Sequence, residues 1–145
     1  MKNTRPALAA VVAVTAALLF SGCASGSTSD TAANDCDTLR SDVRDISNGA
    51  QNTLAGDLSE AQDDAKKYLE GLNERIDSLE KTWESNEKVT AALETLGDKV
   101  DSAEEFVDSV PTDGSEIDAD AQAAASGDIA DAAAAVNEAC TAATK

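Results

Sequence analysis

The side chains with distinctive reactivity are few. The chain of 145 residues holds three cysteines, Cys23, Cys36 and Cys140, and no histidine. Without histidine, the commonest general base and the commonest metal ligand are both missing. No glycine-rich phosphate loop is present, and no serine sits in a strand–turn–helix elbow. Carboxylates are abundant, with 28 acids against 11 basic residues. Pairs such as Asp63/Asp64 and Glu104/Glu105 are adjacent on helical stretches, where neighbouring residues point apart, so they do not form ready-made dyads. The expectation is no catalytic residue, no metal site and no enzyme. The cysteines remain. Each can be a buried thiol, half of a disulfide or the start of a membrane anchor.

Cys23 is read from what precedes it. Lys2 and Arg5 give a short positive region, and Ala7–Phe20 is an uncharged, mostly apolar run of 14 residues followed by Ser21, Gly22, Cys23, Ala24 and Ser25. That order is the order of a secretory signal peptide. As a helix the apolar run spans roughly 21 Å, short of the ~30 Å hydrocarbon core, and no basic stop follows it. The residues FSGC at 20–23 resemble the lipobox of bacterial lipoprotein precursors. Gly22 and Ser21 match its small positions, and Phe20 stands where leucine is usual. The resemblance implies cleavage between Gly22 and Cys23. It also implies a diacylglycerol on the Cys23 sulfur, with no other cofactor, and a site on the outer face of the cytoplasmic membrane or in the cell envelope. It covers about 25 residues and implies nothing about the fold beyond them.

Three cysteines in an exported protein is an odd number that needs accounting for. If Cys23 carries lipid, Cys36 and Cys140 can pair, as an oxidising compartment favours. Charge points the same way. The chain carries −17, and residues 1–22 hold Lys2 and Arg5 but no acid, so cleavage leaves −19. Nucleic acid is a poor partner for that surface, and so is direct adsorption to anionic lipid. The expected partners are the membrane through the lipid anchor, and an envelope protein or a small apolar ligand.

Residues 23–34 are small and polar without apolar periodicity, which reads as a lipidated flexible tether. From 35 to 145 the apolar residues step by three and four. Leu58, Ala65, Leu72 and Leu79 recur every seven, interleaved with Gln62, Leu69, Ile76 and Trp83. A second seam joins Val89, Leu96, Ala103 and Val110 to Leu93, Val100 and Val107. These are coiled-coil-like heptads. Cys36, Leu39, Val43, Ile46 and Ala50 form a stripe on a first helix, capped by Asn34 or Asp35 and stopped at Asn48-Gly49 or Gly56-Asp57. Ile129, Ala133, Val136 and Cys140 form a stripe on an alanine-rich last helix, with Ser126-Gly127-Asp128 as a candidate interruption. Two similar strings, from Leu69 and from Leu93, reflect one binary pattern used twice or an internal duplication.

The fold class expected is therefore all-α, an antiparallel bundle of three to four helices, near 36–55, 58–84, 87–110 and 117–143. An up-down-up-down course brings Cys36 and Cys140 to the same end, and a bridge closing roughly 100 residues can contribute up to ~4.7 kcal/mol. A rival keeps one helix from 58 to 110, about 80 Å long, because ESNEK between Trp83 and Val89 holds neither Gly nor Pro. Both arrangements permit the disulfide, and the bundle is favoured because it leaves less apolar seam uncovered. Trp83 reads as core or as an exposed partner contact. Two ligand-binding alternatives accompany the binding or structural module. One is an apolar groove beside the alanine-rich helix, between the second and third. The other is weak divalent-cation binding by Asp113, Glu116, Asp118 and Asp120. A calcium loop counted from Ser109 has Pro111 at position three and Asp120 at position twelve, which departs from the pattern such loops need.

Overall fold

Apolar residues at three-and-four spacing fix which faces turn inward, and the computed structural model shows where each stripe begins and ends. It describes residues 28–113 and 115–143. There the chain forms α1 (Thr28–Leu54), α2 (Gln62–Trp83), α3 (Glu87–Ser109) and α4 (Ala119–Ala143), with no strand among the described residues. The four helices pack as a bundle. α3 lies between α2 and α4 and packs most extensively on both, α1 leans on α4 more than on α2, and α1 and α3 barely meet across the diagonal. The heptad seams form the interior: Leu69, Leu72 and Ile76 of α2 and Leu93, Leu96, Val100 and Val107 of α3 are buried with Leu39, Val43 and Ile46 of α1 and Ile129 and Val136 of α4.

The single helix from 58 to 110 does not form. α2 ends at Trp83 and α3 starts at Glu87. The turn needs neither Gly nor Pro, because Glu84 stays in right-handed helical geometry and Asn86 takes an extended-side conformation at φ −119° and ψ 88°. Asn86 then closes both ends. Its amide donates to the Trp83 carbonyl at 2.7 Å, and its side-chain oxygen accepts from the Val89 amide at 3.3 Å. An asparagine N-cap satisfies one of the donors that every helix start leaves open.

Other boundaries move from their expected places. α1 begins at Thr28, inside the segment 23–34 read as a tether, so neither Asn34 nor Asp35 stands at its start. The stretch from Thr28 holds Asp30 and two alanines, Ala32 and Ala33, which suit a first turn and its continuation. Asn48-Gly49 does not stop α1. The Thr53 hydroxyl donates to the Gly49 carbonyl at 3.0 Å, and the helix runs on to Leu54 before the Gly56 amide turns back to Thr53. Leu58 and Val110 lie outside the helices yet are buried, at the end of the bundle where α2 starts and α3 ends. Ser126-Gly127-Asp128 does not interrupt α4, where alanines on both sides carry the helix through.

Candidate functional site

Gly22 and Cys23, the expected cleavage and lipidation residues, lie outside the described residues. The other two cysteines meet: Cys36 and Cys140 form a disulfide with α-carbons 5.8 Å apart. Both are fully buried. The up-and-down course brings the start of α1 and the end of α4 together, and the bridge locks them. Beside it Arg40 spans the same two helices, pairing with Asp37 at 3.0 Å and donating to the Thr141 hydroxyl at 2.8 Å.

Trp83, the last residue of α2, is half-buried and packs on the core. The expected core role is met in part, since the ring keeps some exposure. Trp83 also lines a cleft between α1 and α2. That cleft has two neighbouring hollows. One, of about 400 Å³, lies among Leu39, Asp42, Leu79 and Trp83. The other, of about 370 Å³, lies among Asp42, Gly71, Arg75 and Leu79. Asp42 and Leu79 border both. Gly71 widens the second, since a methyl group added there would meet nothing within 4 Å. The disulfide joins α1 to α4, and α1 meets α2 much less extensively than α4, so the end of α2 is left partly uncovered.

The apolar groove was expected beside α4, between α2 and α3. The cleft lies elsewhere. α2 and α3 pack closely, and the small residues Ala132 and Ala133 let α4 approach its neighbours. In the acidic loop, the carboxylates of two of the four named acids are engaged locally. Asp113 accepts from the Ser115 amide at 3.0 Å, and its bonds to Ser115 hold its carboxyl below the ordinary value. Asp118 accepts from the Asp120 and Ala121 amides, which caps α4. Among the described residues no group of His, Cys, Asp or Glu is placed to hold a metal ion, and no helix is long and apolar enough to cross a membrane.

Two polar pins at the far end were missed. Gln62 donates to the Val107 carbonyl at 2.6 Å, tying the start of α2 to the end of α3. Gln122 donates to the Leu54 carbonyl, tying the start of α4 to the end of α1. Gln62 had a signal, being a polar residue at a seam position. Gln122 had none, because the alanine-rich helix offers little contrast. Lys66 and Asp108 pair at 2.7 Å beside Gln62, and that hydrogen bond raises the lysine above its ordinary value. Comparison of the chain with protein-family models, characterised proteins and solved structures finds no match.

Proposed function

We propose that the chain is a lipid-anchored, extracytoplasmic lipoprotein of the bacterial cell envelope, acting as a non-catalytic binding or structural module. The observation that carries this reading is the cysteine arithmetic. Cys36 and Cys140 are used up in one disulfide, which leaves Cys23 as the odd thiol at the end of a short apolar run and inside FSGC. A net charge of −17 supports the same reading. A domain so acidic is repelled by anionic lipid, and a covalent lipid would hold it there. The partly uncovered α1–α2 cleft favours binding over a purely structural role.

The test is membrane fractionation with intact mass of wild type and Cys23→Ala. The wild type is expected in the membrane fraction, shortened by residues 1–22 and heavier by a diacylglycerol, and the variant is expected without the lipid mass. A soluble wild type with no added lipid ends the proposal.

A further inference from the structure

The cleft between α1 and α2 has a shape and a charge that restrict its occupant. Along α2 it runs from Gly71 to Trp83, a distance of about 18 Å at 1.5 Å per residue, which matches a partner helix of about three turns. Its apolar lining is made by Leu39, Leu79 and Trp83, set among the hydroxyl side chains of Thr38, Ser78 and Thr82. Its rim carries Asp35, Asp42 and Glu74 against a single cation, Arg75. We propose that this cleft docks a cationic amphipathic helix of a partner protein, with its apolar face on Leu79 and Trp83 and its lysines or arginines on the acidic rim.

Charge decides among occupants. A second copy of the chain would bring another −17 to an already acidic rim, and like charges facing each other across an interface are costly. A small apolar ligand would use the apolar lining but leave the rim carboxylates without partners. A basic helix satisfies both, in the helix-in-groove mode read by anchors at i, i+3 and i+4. Leu79 and Trp83 stand one turn apart on α2 and supply the receiving side. The proposal rests on the binding-module reading and not on the anchor, so fractionation and the experiment below can fail independently.

Trp83 is the only tryptophan in the chain, so its emission reports on the cleft directly. The probe is a synthetic 18-residue Leu/Lys amphipathic peptide, compared with the same peptide carrying Glu for Lys. Titrating the full protein with the Lys peptide is expected to shift Trp83 emission to the blue with one-to-one saturation, and the affinity is expected to fall at least tenfold between 50 and 300 mM salt. Gly71→Leu fills the cleft without altering net charge and is expected to weaken binding at least tenfold, as is Asp42→Lys. Asp131→Lys makes the same change of charge on the exposed side of α4 and is expected to weaken it less than twofold. Equal binding of the Glu peptide overturns the proposal. So does wild-type affinity in both Gly71→Leu and Asp42→Lys, or an equal loss in Asp131→Lys, which would mark bulk attraction. A self-association of the protein alone that Gly71→Leu abolishes would give the cleft to a second copy and also overturn it.

Discussion

At the scale of single residues, glycines inside helices separate backbone propensity from packing. Gly71 and Gly127 sit in α2 and α4 with nothing within 4 Å of an added methyl group. Replacing either with alanine removes a helix penalty of about 0.8–1 kcal/mol and is expected to raise stability by roughly that amount in urea melts. Gly49 is the contrast. A methyl group there would stand 2.5 Å from the Tyr68 hydroxyl, so Gly49→Ala is expected to be near neutral, the helix gain being offset by displacement of Tyr68. Combining it with Tyr68→Ala should recover the gain as a coupling term in a double-mutant cycle. Glu80 gives a residue-scale pH effect. Burial, then the nearby carboxylates of Asp77, Glu94 and Asp98, raise its carboxyl above the ordinary value. The folded state thus holds the proton to higher pH than the unfolded chain, and stability falls as pH rises through that window. Glu80→Gln is expected to stabilise at pH 7 by ~0.2–0.5 kcal/mol, on the scale of exposed charge interactions, and to lose that advantage once pH falls below the usual glutamate value. A gain that persists at pH 3 would point to packing and not to charge.

At the scale of elements, the turn at 84–86 decides the topology, and it is where sequence and structure part most instructively. The seams were legible because burial selects residues by type: Leu69, Leu72, Ile76, Leu93, Leu96, Val100 and Val107 all face the core as their spacing implies. Helix ends were less legible, because a cap is a matter of geometry more than of composition. Asn48-Gly49 carries the stronger stop signal and does not stop α1, whereas Asn86 looks unremarkable within ESNEK and ends one helix while starting another. The difference is tertiary. A continuous helix would strip Leu93, Val100 and Val107 of the α2 surface they bury against, and that burial outweighs the one or two hydrogen bonds lost at the turn. The cleft was illegible for a related reason. Nothing in a binary pattern says that α1 will pack more extensively on α4 than on α2. If Asn86 acts as a cap, Asn86→Ala should cost about 1 kcal/mol, Asn86→Asp should keep most of the stability, and far-UV circular dichroism should show no gain in helix. A gain in helix accompanied by association would show instead that Asn86 is the barrier to a fused α2–α3 helix.

At the scale of the whole molecule, the disulfide and the distribution of contacts together set the order in which the bundle opens. Cys36 and Cys140 lie near the two ends of the described chain, 104 residues apart in sequence, so their bridge encloses nearly the whole fold. α1 has the least extensive packing of the four helices, resting mainly on α4 and lightly on α2. Besides its buried stripe of Leu39, Val43, Ile46, Ala50 and Leu54, α1 is tied to α4 at both ends, by the bridge at Cys36 with the Arg40 bond to Thr141 and by the Gln122 bond to Leu54. Replacing both cysteines with alanine removes the first tie without burying a new polar group, and the expected loss is about 2–4 kcal/mol, below the entropic ceiling of ~4.7 kcal/mol for a loop of about 100 residues. The loss should not be uniform. Amides of α1 should exchange with solvent earlier than those of α2 and α3, which keep their mutual packing as a cooperative unit. Salt adds an independent term. A chain at −17 repels itself more when compact than when unfolded, so raising salt from 0.05 to 0.5 M should raise the midpoint in both oxidised and cysteine-free forms by similar amounts. Hydrogen exchange followed by mass spectrometry on the two forms reads all of this at once. If α3 loses protection before α1, or if the cysteine-free form is as stable as the oxidised one, then the bridge does not close the bundle, and α1 is held by its side-chain packing alone.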